Sequence, residues 1–133
     1  MSGSGVPGDP WILTTPLGTS QFEMHIDEDK DVLHCQVGKT WLHYKLSALD
    51  DLHAMLVAHG DWMDLGNKDE KAETKPGTVE AWGRSADNPV GGWYGIRKGY
   101  RGRFASYVAP VLERLGKVEF RKEGRSVQVR AIS

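Results

Sequence analysis

The sequence predicts an α+β fold: an N-terminal three-stranded antiparallel meander covered by a helix, then a kinked amphipathic helix and a C-terminal β-hairpin. Three observations carry this reading. Apolar and polar residues alternate in three short runs between positions 22 and 46, the period of two that a half-buried strand needs. Apolar residues recur at helical spacing from 104 to 115. Two further alternating runs close around Glu123-Gly124. A chain of 133 residues, 39% apolar and 26% charged, is long enough to bury a core unaided.

Residues 1–10, rich in Gly, Ser and Pro, read as a flexible tail whose end Trp11 anchors. Phe22, Met24 and Ile26 alternate with Glu23 and His25, and Leu33, Cys35 and Val37 with His34 and Gln36. Leu42, Tyr44 and Leu46 alternate with Trp41, His43 and Lys45. The charged run from Asp27 to Asp31 resists burial and must turn. Gly38-Lys39 suits a two-residue type II′ turn, whose first position needs positive φ. A helix follows, with Ser47 as N-cap, Asp50 in the first turn, Leu49, Leu52, Met55 and Leu56 on one face, and Gly60 past its end. That face is expected to lie on the meander.

Residues 64–77 have almost no apolar content and read as a polar loop or linker. They divide an 11–63 lobe from a basic 78–133 lobe, with one integrated domain as the equal alternative. Thr78 to Trp82 form a short element of unassigned type, and Asn88-Pro-Val-Gly-Gly92 a turn. Phe104, Tyr107, Val108, Val111, Leu112 and Leu115 make one helical stripe closed by Gly116. Pro110 lies off the stripe and is expected to kink the helix without ending it. Val118 and Phe120, then Val127 and Val129, build the hairpin, with Arg121, Lys122 and Arg125 at its tip.

The net charge of −1 conceals a division along the chain. Residues 1–90 hold seven Lys/Arg against fifteen Asp/Glu, and residues 91–133 ten against three. Such asymmetry points to a nucleic-acid or other anionic partner for the basic part, because clustered cations create a local field. The alternative is that the two parts dock and neutralise each other.

Most of the chemistry lies between 91 and 107. Gly91, Gly92, Gly95, Gly99 and Gly102 let backbone approach a ligand, and Arg97, Lys98, Arg101 and Arg103 place four charges ahead of a helix N-terminus, where free N–H groups favour an anion. Trp93, Tyr94, Tyr100 and Tyr107 interleave with these cations, as stacking surfaces for bases do. The spacing is that of neither a P-loop nor a dinucleotide fingerprint. Core aromatics with solvent-facing arginines, or a small-anion site, would account for the same residues.

The run from Val111 to Arg130, a helix ending in Leu115-Gly116 before a basic hairpin, resembles the recognition-helix-to-wing segment of small bacterial winged-helix regulators. The chain as a whole is similar to an uncharacterised bacterial family that bears the Asn-Pro-Val-Gly-Gly-Trp-Tyr-Gly signature of residues 88–95. The basic segment and the first resemblance together lead to the expectation of a non-enzymatic, regulatory DNA-binding protein, with Arg97, Lys98, Tyr100, Arg101 and Arg103 at the helix start, Arg121, Lys122 and Arg125 on the wing, and the first lobe as dimerisation or effector surface. The second implies no activity. The competing expectation is a protein- or small-anion-binding module without a nucleic-acid role.

Strand register raises one more candidate. The Gly38-Lys39 turn sets His34 opposite His43, and matching the apolar faces of the first hairpin sets His25 opposite His34. Neighbours in this row stand about 5 Å apart, close enough for two imidazoles to share a zinc ion, with Glu23 or water completing the shell. A half-exposed polar face without metal is the plainer reading. Cys35 points inward with Met24 and Leu42 and is no nucleophile, and no motif of a hydrolase, metalloprotease or calcium loop occurs. The expectation is therefore a cytoplasmic non-enzyme with no cofactor, no membrane span and a homodimer as a compatible state.

Overall fold

The computed structural model describes residues 3–18 and 20–132, and its architecture is α+β. Strands β1 (Trp11–Thr14), β2 (Gln21–Asp27), β3 (Val32–Val37) and β4 (Thr40–Lys45) form one antiparallel sheet in chain order. The sheet has four strands where the alternation pattern gives three. β1 is only four residues long, too short for its inward Trp11 and Leu13 to show a period. Gly38 takes φ +60° while Lys39 keeps negative φ, the combination that the predicted turn requires.

Helix α1 (Ala48–His59) starts after Ser47, which holds the N-cap position without a side-chain bond to the helix, and ends at left-handed Gly60. Strand β5 (Met63–Asp64) and the single-turn helix α2 (Val79–Trp82) follow, the latter capped by Thr78, whose hydroxyl accepts from Ala81 N–H. Helix α3 (Phe104–Arg114) runs through Pro110, and strands β6 (Val118–Glu123) and β7 (Ser126–Ala131) close the chain as a hairpin. β5 joins that hairpin on the β7 side, making a second sheet of order β5-β7-β6.

The pattern assigns the covering of the first sheet to α1, but α3 takes this place. Phe22 meets Tyr107 with ring centroids 5.0 Å apart, and Tyr44 meets Phe104 at 6.0 Å, while α1 packs on α3 and β7. Phe104, Ala105 and every residue from Tyr107 to Leu112 are buried, so α3 is an interior helix with neighbours on all sides. Met24, Leu33, Leu52, Leu56, Val108, Val111 and Val129 belong to one hydrophobic core that both sheets share. Burial of each such side chain contributes about 1.5–3 kcal/mol to that shared core.

The segments expected to be tail and linker make specific bonds. Gly3 N–H donates to the Pro10 carbonyl, Gly5 accepts from Ile26 N–H, and Gly3 accepts from the Arg114 guanidinium. Residues 1 and 2 of that tail lie outside the described residues. Within 64–77, Leu65 is buried and donates to the Val127 carbonyl. The carbonyls of Lys68, Asp69, Glu70 and Ala72 all accept from the Arg84 guanidinium. One arginine thus gathers the polar stretch into a strap across the basic half.

Candidate anion site and the histidine row

The backbone of residues 94–96 lies along the free edge of β4, with Lys45 N–H donating to Tyr94 and Ile96 N–H to His43. This fixes the glycine-rich segment beside the sheet. Its N–H groups do cradle an anion, and the anion is the chain's own. Glu70 accepts from Gly99 N–H at 3.0 Å, Arg101 N–H at 2.9 Å and Arg101 Nε at 2.8 Å. The Arg101 side chain is the main reason that its carboxyl sits below the usual range. The N-terminus of α3 is filled in the same way. Glu80, fully buried, accepts from Phe104 N–H at 3.2 Å and Ala105 N–H at 2.9 Å, and from Arg84 at 2.8 Å. Burial pushes this carboxyl up, and those hydrogen bonds pull it back.

The docking of acidic on basic segments therefore accounts for several expected site residues. Arg101 pairs with Glu70, and Arg103 pairs with Asp69 at 2.6 Å. Arg97 donates to the Trp41 carbonyl and lies over the Tyr100 ring at 4.1 Å. Arg84 and Arg101 lie over Trp93, at 4.3 and 4.5 Å, and Arg121 and Arg130 over Trp62, at 4.4 and 4.6 Å. Of the interleaved aromatics, Trp93 and Tyr100 thus stack with the protein's own guanidiniums, while Tyr94 and Tyr107 are buried against Trp82, Phe104 and Phe22. Lys98, Lys122 and Arg125 are exposed, the last two at the hairpin tip with Arg121, away from the 97–103 group along the chain.

The 88–95 signature is structural. Asn88, 6% exposed, donates to the Trp82 and Gly92 carbonyls and accepts from Val90 and Gly92 N–H. All four of its hydrogen-bonding positions are used in closing one turn. Tyr94 then enters the core, donating to Asp51.

Cations and hydroxyls meet elsewhere, in a cleft of about 520 Å³ between Thr15, Pro16, Leu17 and Ser20 on one side and the strap and the hairpin on the others. Lys68, Lys75, Arg103 and Arg125 line it with Ser106, Ser126 and Tyr107, and Asp64 is the carboxylate in its wall. Asn67 belongs to the same wall and carries a buried Oδ1 without a hydrogen-bond partner. Arg103 reaches the cleft from left-handed backbone, φ +58°, a conformation that only one other non-glycine residue, Asp31, takes among the described residues. Such backbone costs about 1–3 kcal/mol and tends to occur where a side chain must be aimed. Of this set, the sequence pattern singled out Arg103 and Arg125. It missed Lys68 and Lys75, which look there like ordinary charges of a solvated loop.

The histidine row forms in the expected register, His25 opposite His34 and His34 opposite His43. His34 and His43 approach through their Nδ1 atoms at 2.8 Å, and His34 Nε2 lies 3.2 Å from Asp27. A carboxylate only accepts, so neutral His34 carries its proton on Nε2 and accepts at Nδ1 from His43, leaving His43 Nε2 with its lone pair. Burial, then the adjoining His34, lowers the pKa values of His25 and His43. Among the described residues no group of three or more His, Cys, Asp or Glu side chains is arranged to hold a metal ion. His34 spends both ring nitrogens on its neighbours, and the outer imidazoles stand two strands apart. Cys35 is buried, which raises its thiol pKa.

No helix among the described residues is long and apolar enough to cross a membrane. No curated protein and no solved structure matches the chain. A family model does, over residues 3–132, which is nearly the whole sequence, and its description is a family of unknown function, DUF6855. The protein belongs to that family.

Proposed function

We propose that the protein binds a small anionic ligand, without chemistry, in the cleft lined by Lys68, Lys75, Arg103 and Arg125. The observation that carries the reading is the convergence of four cations from distant parts of the chain on one concave site that also holds hydroxyl donors. Cations brought together by folding repel one another, and an anion relieves that repulsion. The 97–103 cradle and the α3 N-terminus behind it are no competitors for the ligand, because Glu70 already fills the first and Glu80 the second. Titration calorimetry with inorganic phosphate and with sulfate at low ionic strength tests the reading. Binding that Lys68→Ala with Arg125→Ala weakens at least about tenfold supports it, since each lost charge-assisted hydrogen bond is worth about 1.5–3 kcal/mol. Binding of neither anion overturns it.

A second reading, duplex DNA bound through the hairpin, is favoured by chain order. The succession α1, β5, α2, α3, β6, β7 with strand order β5-β7-β6 is compatible with the order of a winged helix, in which Arg121, Lys122 and Arg125 would stand at the wing tip. Because α3 is interior, contact would come from the wing rather than from a helix in the groove. Three phosphate contacts would give a slope of log K against log salt near about −2.7. Absence of binding to mixed-sequence duplex at low salt removes this reading.

A further inference from the structure

A second cleft, of about 440 Å³, shares Arg103 and Tyr107 with the cationic one, so these two side chains form a common wall. Its character differs. Val37 and Leu42 of the sheet, with Tyr100 and Tyr107, give it apolar and aromatic sides, Tyr100 being 42% exposed, and the strap's Asp69 and Glu70, each paired with an arginine, line it together with Lys71. Tyr107 is fixed against Phe22, and a ligand would pass on the Arg103 side of the wall, where the side chain is long and exposed. Its ion pair with Asp69, both partners about half exposed or more, is the kind worth at most about 1 kcal/mol.

Resting on the anion-binding reading, we infer that the ligand is a phosphate monoester of a flat apolar or aromatic alcohol, its phosphate in the cationic cleft and its body against Tyr100 and Val37. Charge favours a dianionic head: among the described residues that line the cleft, Lys68, Lys75, Arg103 and Arg125 stand against one carboxylate, Asp64, with Arg103 also paired to Asp69, an excess of two positive charges. A phosphate monoester near neutral pH carries close to that charge, and its three terminal oxygens suit several donors at once, where a carboxylate offers one charge and two oxygens. Apolar walls favour the body, since a ring gains by leaving water for Val37, Leu42 and the part of Tyr100 that Arg97 leaves uncovered, and a sugar gains little there.

Calorimetric titrations with phenyl phosphate, inorganic phosphate and phenol test this on the full chain. Phenyl phosphate should bind at least about tenfold tighter than inorganic phosphate, the gain expected from burying one aromatic ring partway. Tyr100→Ala, at an exposed position, should bring that ratio toward one while leaving inorganic phosphate unaffected, and Val37→Thr should act in the same direction. Arg125→Ala should weaken both phosphates alike. Equal affinities for the two phosphates, or a ratio that neither Tyr100→Ala nor Val37→Thr changes, overturns this inference and leaves anion binding standing. Phenol binding as tightly as phenyl phosphate overturns it also, and failure of both phosphates to bind removes the underlying reading.

Discussion

The Glu80 carboxylate lies 2.8 Å from the Arg84 guanidinium, with side-chain exposures of 1% and 11%, and from that position it also caps the first turn of α3. The pair joins three parts of the fold: the start of α3, the single turn of α2, and the strap whose carbonyls Arg84 collects. Removing one partner strands the other in the interior. Glu80→Ala should therefore cost about 3–5 kcal/mol, read as a loss in the denaturant midpoint. Glu80→Gln should recover only part, because its amide sets a donor against Arg84 or against the helix N–H groups. A variant as stable as the parent would show that the cap is dispensable.

Arg84→Met keeps the length of the aliphatic stem but removes the guanidinium from Trp93 and from Glu80, and with it all the bonds to the strap. Trypsin should then cut at Lys68 and Lys71 much earlier than in the parent, since carbonyls left without their donor are free to open locally. Equal cleavage rates would mean that Glu70 and Leu65 hold the strap by themselves.

Gly102 is buried where the strap crosses the glycine-rich segment, and a Cβ there would run into the backbone of Asp69 and Glu70. Gly102→Ala should cost about 1–3 kcal/mol through this overpacking. It should also loosen the Glu70 cradle, which amide exchange at Gly99 and Arg101 would report. Unchanged exchange would place the strain elsewhere.

Because burial and His34 hold His25 and His43 below the ordinary histidine range, the folded state resists their protonation. As pH falls, the unfolded chain takes up these protons first, near about 6.5, so stability is fully present above that pH and declines below it. Melting temperature should fall between pH 7 and 5, and His25→Gln with His43→Gln should flatten the fall. The Asp27 carboxyl, lowered chiefly by its hydrogen bond from His34, acts in a separate window, losing its contribution only below the carboxylate range near about 4. Proton NMR should show the His25 and His43 rings taking up protons below the ordinary histidine range, and curves at the ordinary value for both would overturn this account.

Features governed by neighbours in the chain were legible in the residues alone. The Gly38-Lys39 turn and a period of two define the register that aligns the three histidines, and helical spacing with Gly60 and Gly116 defines α1 and α3. The chemistry of an anion cradle at 97–103 was legible too, since glycines and arginines before a helix have that meaning wherever they occur. Its occupant was not. Glu70 lies 29 residues from Gly99, and Glu80 lies 25 residues from Ala105. No local rule distinguishes such carboxylates from those of a solvated loop. The same limit hid β1 and β5, too short to show a period, and the exchange of roles between α1 and α3, whose apolar faces carry similar residues. It also hid the Lys68, Lys75, Arg103 and Arg125 cleft, because a charge reveals its neighbours only after the backbone has brought distant segments within a few ångströms, where Coulomb attraction and hydrogen bonding act.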